Sequence, residues 1–288
     1  MYKGLWATLL LLSSSLCAEP LFWSAEKGDL KYLILGSVHV GDESMFPLPQ
    51  AIVDTLQASD GLILEADIRK NQNVAYPEQT LSSKDVLSDT QIATLKNIAS
   101  QLQINANELL SSPPWAAALL IQMKQIESFG YSSDTGVDLM LMYKATTRNI
   151  PVLSLETVQF QIDLLTGQQE SGKELLISAL DDFNDAEKAT HCLIDSWKAG
   201  DLEKLNEFSG LTELSPEFEQ AFIHQRNTDW VNKLSKPSWL PNPEGSYVLV
   251  VGTLHLVGDR NVLVQLRKQG FKVTQQSNSK KANCQFKS

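Results

Sequence analysis

The sequence predicts an α/β fold, with a mainly parallel central sheet assembled from both ends of the chain and a large helical insertion in the middle. Three observations predict it. Apolar, β-branched runs lie near both ends, and such runs are typical of buried parallel strands. Helical periodicity dominates the middle of the chain. Two similar segments, 32–42 and 247–259, repeat one pattern at the two ends.

The first third of the chain alternates strand and helix patterns, an arrangement that usually gives parallel pairing. Gly28 supplies a turn between two short apolar runs, and Pro47 and Pro49 mark the start of a helix. The expected elements are a hairpin over 21–24 and 31–35, a helix that ends at Leu56 and a strand over 61–65.

The middle of the chain is predicted to form the helical insertion, over about 81–149 and 157–236, with one strand at 150–154 between the two parts. Three prolines between residues 237 and 243 predict a stiff connector. The remaining elements are expected as a strand over 247–251, a helix over 261–268 and a strand over 271–274. Residues 19–274 would make one domain, and the polar tail 275–288 is expected to be mobile.

The first eighteen residues have the pattern of an export signal. Lys3 precedes an apolar run, and Leu16-Cys17-Ala18 is an acceptable cleavage site. The run is too short to span a membrane, so we predict a soluble protein of the bacterial periplasm. A lipid anchor at Cys17 is the alternative, although Leu16 is larger than the residue that usually precedes such a cysteine.

Charge and cysteine content narrow the possible partners and the compartment. The 288-residue chain has 24 Lys and Arg against 34 Asp and Glu, a net charge of −10. Such a surface repels phosphate backbones, which argues against a nucleic-acid partner.

Beyond the signal, Cys192 and Cys284 could form a disulfide in an oxidising compartment. The alternative is a buried thiol at Cys192 and a loose thiol in the tail.

Two histidines lie within the repeated segments, just after the point where each predicted strand ends. His39 comes three residues after Gly36, and His255 comes three residues after Gly252. Because parallel strands present their carboxyl ends at one edge of a sheet, where α/β proteins bind ligands, the repeat predicts one shared site. Imidazole there can bind a metal or transfer a proton. The alternative, a buried structural histidine, does not explain why the setting occurs twice.

Carboxylates follow two other predicted strands. Glu65 and Asp67 come after one of them and Glu156 after the other, and an acid beside buried aliphatic residues is costly unless it is paired or binds something. The alternative for Glu65 and Asp67 is an ion pair with Arg69 or a helix cap. Two histidines with one or two carboxylates are a ligand set for Zn²⁺, Mn²⁺ or Co²⁺. The predicted metal ligands are His39, Glu65, Glu156 and His255.

One arginine is a candidate for binding charge. Arg226 could clamp a carboxylate or an oxyanion, and the alternative is a solvated helix face. His191 and His224 are predicted to be structural, because no acid or glycine accompanies them. Asp138 is expected near a helix start, where a carboxylate is favoured in any case.

These segments together resemble the TraB/GumN family, which is related to the Tiki metalloproteases and to the PrgY pheromone-shutdown proteins. The matching segments keep the family's order over most of the chain and are Gly36-Ser-Val-His39 with Gly41-Asp42, Leu64-Glu65, Leu155-Glu156-Thr157, Arg226-Asn-x-x-Trp230 and Gly252-Thr-Leu-His255-Leu-Val-Gly258. The resemblance implies an α/β fold in which the two Gly-x-x-His segments meet. In the Tiki branch it also implies a peptidase that needs a divalent metal such as Mn²⁺ or Co²⁺.

Three hypotheses about function follow. The first is an exported, metal-dependent hydrolase, a peptidase by resemblance, in which the ion activates water and polarises a carbonyl. The resemblance places His39, Glu65 and His255 at catalytic positions, with Glu156 and Arg226 as further candidates. The second is a periplasmic protein that binds haem or a peptide without turning it over, since the wider superfamily includes haem-binding proteins. The third is a degenerate family member that serves as a partner for envelope proteins.

Overall fold

A six-stranded sheet forms the centre of the computed structural model, which describes residues 18–70, 73–212 and 214–286. The predicted export signal lies outside the described residues except for Ala18, which is buried. The strands are β1 Phe22–Lys27, β2 Leu30–Ser37, β3 Gly61–Leu64, β4 Val152–Ser154, β5 Ser246–Gly252 and β6 Lys272–Gln275. They lie in the order β4-β3-β5-β2-β1-β6, so the predicted α/β fold built from both ends of the chain is confirmed.

The two repeated segments are neighbours in this sheet. Strands β4, β3, β5 and β2 run parallel, whereas β1 is antiparallel to both β2 and β6. Tyr32 of β2 pairs with Tyr247 of β5, and Ser37 pairs with Gly252, because the second segment has one more residue before its glycine. The carboxyl ends of the four parallel strands therefore share one edge. The residues that follow this edge include His39, Glu65, Glu156 and His255.

Helices cover both faces of the sheet, as parallel strands require. The α-helices are α1 Gln50–Ala58, α2 Ser83–Val86, α3 Asp89–Gln101, α4 Ala106–Ser111, α5 Pro114–Ser128, α6 Val137–Thr147, α7 Val158–Thr166, α8 Lys173–Asp181, α9 Ala186–Ala199, α10 Leu202–Leu211, α11 Pro216–Glu219, α12 Arg226–Leu234 and α13 Val262–Lys268. A π-helix, Gln220–Gln225, joins α11 to α12. Within the described ranges, no helix is both long and apolar enough to cross a membrane.

Alternation along the strands divides the core into two layers. Tyr247, Leu249 and Val251 of β5 pack on one face with Trp230 of α12, whereas Val248 and Val250 pack on the other face. Successive side chains of a strand point to opposite faces, so a strand buried on both sides is apolar throughout. A third cluster lies inside the helical insertion, among helices α3, α5 and α8.

The C-terminal tail is packed against the helices, which differs from the mobile tail expected from its polar composition. Cys284 forms a disulfide with Cys192 of α9, so the paired alternative is the one that the structure contains. Phe286 is 1% exposed, and its ring lies 5.2 Å from that of Phe208 in α10. The backbone N–H of Ala282 donates to Asp201. One aromatic residue, one disulfide and backbone hydrogen bonds therefore hold the otherwise polar tail.

Candidate active site

The centre of the candidate site is the guanidinium of Arg226, which begins α12. Its Nη2 lies 2.6 Å from Glu65 Oε2 and 2.6 Å from Glu156 Oε1, and its Nε lies 3.2 Å from Glu156 Oε2. Its Nη1 lies 3.2 Å from His255 Nε2 and 3.1 Å from the carbonyl oxygen of Phe222. A guanidinium has five N–H donors, and all five have protein acceptors. The carboxylates that Arg226 clamps are thus those of the protein itself, and no N–H donor remains for a substrate oxyanion.

Glu156 is fully engaged by the protein around it. Besides Arg226, its carboxylate accepts hydrogen bonds from Trp230 Nε1 and from Gln161 Nε2, each at 2.9 Å. The side chain is 7% exposed. Buried charges are stable when they are paired and hydrogen-bonded in this way. The carboxylate therefore fastens the end of β4 to α7 and α12, and it presents no oxygen to a ligand.

Glu65 has one oxygen that faces the edge of the sheet. Its Oε2 binds Arg226, whereas its Oε1 accepts a hydrogen bond of 2.7 Å from the backbone N–H of Gly252. Burial opposes ionisation of this carboxyl, but the neighbouring imidazoles, the guanidinium and the Gly252 N–H outweigh burial and lower the pKa of Glu65 to about 2. Glu65 is therefore a carboxylate at neutral pH.

Gly252 is the point at which the two histidines and Glu65 converge. A Cβ atom at this position would lie 3.3 Å from Glu65 Oε1, 3.7 Å from His255 Cδ2 and 3.8 Å from His39 Nε2. The backbone φ of Gly252 is −52°, which any residue can adopt, and a Cβ would be tight only against Glu65, so glycine here leaves space for that carboxylate. The three side chains are therefore grouped around the backbone of Gly252.

His255 is buried and held in one tautomer. Its Nδ1 lies 2.7 Å from Asn227 Oδ1, and the amide of Asn227 is oriented by donation from its Nδ2 to the carbonyl of Arg260. Nδ1 therefore carries a proton, and Nε2 accepts from Arg226. Burial lowers the pKa of His255 to about 4. The positive charge of Arg226 also lowers this pKa, whereas the carboxylate of Glu65 raises it by less than burial lowers it. The ring is neutral at physiological pH.

His39 has the opposite setting. Its side chain is 67% exposed, and its Nδ1 lies 3.0 Å from Asp138 Oδ2, while the other oxygen of Asp138 accepts from Ser37 Oγ at 2.7 Å. The charge and hydrogen bond of Asp138 raise the pKa of His39 to about 9, although water reaches the ring and weakens the ion pair. The sequence repeat suggests equivalent histidines, yet one is cationic at the surface and the other is neutral and buried.

Asp138 is a site residue that the sequence does not reveal. It does lie in the first turn of α6, as predicted, but it also binds His39, 99 positions earlier in the chain. Gly136 allows this approach, because a Cβ there would lie 2.5 Å from the carbonyl oxygen of His39. The only sequence signal was a carboxylate two residues after a glycine at a helix start, a pattern that usually concerns the helix alone.

The other candidates lie outside this cluster. Asp67 forms a two-point ion pair with Arg69, at 2.7 and 2.8 Å, which is the structural alternative considered for it. His191 Nδ1 lies 2.7 Å from the hydroxyl of Tyr131, and its ring packs beside that tyrosine, away from the sheet edge. His224 belongs to the π-helix that leads into α12.

Comparison with known proteins identifies the family of this chain. A model of the TraB/PrgY/gumN family matches residues 21–275. The chain belongs to this family. It is 28% identical over 241 residues to the uncharacterized protein YbaP of Escherichia coli (strain K12), covering 83% of this chain and 89% of the relative. It is 29% identical over 235 residues to YbaP of Shigella flexneri, covering 81% and 87%. No solved structure matches significantly.

The side chains of this TraB/PrgY/gumN protein fit a divalent metal only in part. Both histidines donate through Nδ1 to an oxygen, as metal-binding histidines commonly do. However, Arg226 binds three of the four predicted ligands, which are Glu65, Glu156 and His255. Among the described residues, no group of three or more His, Cys, Asp or Glu side chains is placed to hold an ion. The arrangement as it stands is an arginine-centred cluster, which does not fit the four-ligand centre.

Proposed function

We propose that this protein is an exported hydrolase that cleaves an amide or ester bond, with peptides as the first substrates to test. One observation supports it above the others. His39 and Glu65 face the same glycine, and their surroundings favour opposite protonation states. Pairs of titratable groups whose pKa values are driven apart are typical of acid and base partners in catalysis. The family resemblance supplies the reaction class, since its Tiki branch contains peptidases.

In this proposal the carboxylate of Glu65 orients a water molecule and accepts its proton through Oε1. The water oxygen attacks the carbonyl carbon of the substrate, and His39 donates the proton on Nε2 to the leaving group as the bond to that group breaks. The extra proton on Glu65 then returns to His39 through solvent. Arg226 acts as a positioning residue, because its contacts fix Glu65 and His255. No step is assigned to a metal, because Arg226 already binds three of its four predicted ligands.

Export is part of the proposal. The signal pattern before Glu19 supports it, and so does the Cys192–Cys284 disulfide, because such bonds persist mainly in oxidising compartments. The test is N-terminal sequencing of the protein recovered from the periplasmic fraction of a bacterium that expresses the full chain. A mature chain that begins at Glu19 is expected. An uncleaved chain that remains in the cytoplasm contradicts export.

The activity test compares His39→Ala and Glu65→Gln with the parent chain. Peptide mixtures analysed by mass spectrometry and p-nitrophenyl esters followed by absorbance cover both bond types. We expect each variant to lose roughly 100-fold or more of the rate, the scale of general acid–base catalysis. The matched control is His191→Ala, which changes a histidine outside the site. Parent-level rates in both site variants would falsify the proposed roles. Parallel assays with a chelator and with added Mn²⁺ or Co²⁺ test the metal requirement that the resemblance implies.

A second candidate function is binding without turnover, of haem or of a peptide. His39 favours it, because its ring is exposed and no hydrogen-bond partner for its Nε2 occurs in the described part of the chain. An imidazole in that position could be an axial ligand of haem. Titration with haem separates the two functions. A Soret band that is present in the parent and lost in His39→Ala supports binding, whereas identical spectra rule out this ligand role.

A further inference from the structure

The guanidinium of Arg226 lies where the lone pairs of three predicted metal ligands meet. One nitrogen, Nη2, is 2.6 Å from a carboxylate oxygen of Glu65 and 2.6 Å from one of Glu156. The adjacent Nη1 is 3.2 Å from His255 Nε2. All three side chains are nine-tenths buried or more, with exposed fractions of 9%, 7% and 5%. Their acceptors thus converge on one cation, which the chain itself supplies.

A divalent ion and this guanidinium compete for the same three side chains. Glu65 Oε1 and His255 Nε2 are 3.9 Å apart, a separation that two ligands of one ion can have, since each bond is about 2.0–2.2 Å long. An arginine cannot lose its proton to make room for an ion. The positive charge of Arg226 also repels a second cation that approaches the same carboxylates.

We infer that Arg226 takes the place of a divalent ion in this cluster, so that the native chain does not bind one through Glu65, Glu156 and His255, and that loss of the guanidinium converts the three side chains into a metal site. The inference concerns binding at the cluster, and it does not depend on the proposed hydrolase activity. It departs from the metal requirement that the family resemblance implies.

The test measures metal binding in the mature chain and in Arg226→Ala. Titration with Co²⁺ is followed by visible absorption, and thermal unfolding is followed with and without Mn²⁺, Co²⁺ or Zn²⁺. The native chain is expected to show neither ligand-field bands nor a rise in Tm. Arg226→Ala is expected to bind one Co²⁺ at least tenfold more tightly than the native chain and to gain Tm on metal addition, because the ion binds only the folded state.

Two matched variants make the result specific to the cluster. Arg226→Lys keeps a positive charge in the cluster, and this variant should bind no divalent ion. Arg226→Ala combined with Glu156→Gln removes one ligand, and it should lose the affinity that Arg226→Ala gains. Arg226→Met, which refills part of the volume, replaces Arg226→Ala if that variant does not fold.

The results that overturn the inference are equally specific. One is stoichiometric binding of Mn²⁺, Co²⁺ or Zn²⁺ by the native chain that disappears in His255→Ala and Glu65→Gln. The other is a folded Arg226→Ala or Arg226→Met chain that gains no affinity, or whose gain survives Glu156→Gln. Binding is the readout throughout, so a native chain without hydrolase activity contradicts the proposed function and leaves this inference standing.

Discussion

Replacing Glu156 by alanine tests whether the arginine-centred cluster holds the fold together as its contacts indicate. The change leaves four buried or half-buried donor nitrogens without this acceptor: Nε and Nη2 of Arg226, Nε1 of Trp230 and Nε2 of Gln161. Arg226 keeps Glu65 as a partner, so one of its two carboxylate contacts remains. We expect the free energy of unfolding to fall by about 3–5 kcal/mol, the usual cost of removing one partner from a buried ion pair.

The assay is urea unfolding followed by tryptophan fluorescence, with thermal unfolding in parallel. At roughly 2–4 °C per kcal/mol for a domain of this size, the same loss corresponds to a Tm lower by about 10 °C. Glu156→Gln retains an acceptor oxygen and should lose about 1–3 kcal/mol. Glu127→Ala is the matched control. That glutamate pairs with Lys124 at the surface, so its loss should cost about 0.5 kcal/mol or less. A cost below about 1 kcal/mol for Glu156→Ala refutes the reasoning.

Four further outcomes are expected. The ordinary pKa of a Glu carboxyl is 4.5, and below that pH the free energy of unfolding should fall as pH drops toward the lowered pKa of Glu65 at about 2. In Glu65→Gln the free energy of unfolding should fall less steeply with pH over this range. Equal slopes in the two chains contradict an ionised Glu65 paired with Arg226. Hydrolysis should decline as pH rises through about 9, where His39 loses its proton, and a flat rate profile excludes it as the acid. Gly252→Ala should fold, with a stability change of about 1 kcal/mol, yet its rate should fall at least tenfold because the added methyl group crowds Glu65. Full activity in this variant would show that Glu65 does not need the space beside residue 252. Reduction of the Cys192–Cys284 disulfide, which links residues 92 positions apart, should lower the free energy of unfolding by about 2–5 kcal/mol. An unchanged midpoint of chemical unfolding in reductant argues against a stabilising disulfide.

The fold and the edge that carries the site follow from local signals. The strands ending at Ser37, Leu64, Ser154 and Gly252 are readable because a strand buried on both faces is a short apolar run with a clear end. The repeat marks both β2 and β5 as strands of this kind. Each of these features is encoded within about ten consecutive residues, so a single sequence is sufficient to predict it.

The contacts inside the site are encoded over much longer distances. Arg226 and Glu65 are 161 positions apart, and Arg226 and Glu156 are 70 apart. Residue types at such distances indicate that an ion pair could form, but they do not say which acids the arginine meets. The same two carboxylates and histidine are equally good ligands for a metal, so composition alone favoured that interpretation.

The different surroundings of the two histidines also depend on packing that the sequence pattern does not contain. The second repeat is one residue longer, and β5 passes into a short 3₁₀ turn, Thr253–His255, beneath α12. Trp230 of that helix covers the ring of His255, with ring centres 4.4 Å apart. His39 instead meets only the start of α6 through Asp138 and remains exposed. The packing of α12 over His255, which His39 lacks, thus separates a buried neutral ring from a charged surface ring.

The order of the strands has a consequence for how the chain folds. Strands β2 and β3 come early in the sequence, but they are not neighbours, since β5 lies between them and pairs with both. Until residues 246–252 arrive, both early strands have an open edge, and β4 has only β3 beside it. Such long-range pairing is slow to form. The centre of the sheet therefore closes only once residues 246–252 are in place, in whatever order the other strands form.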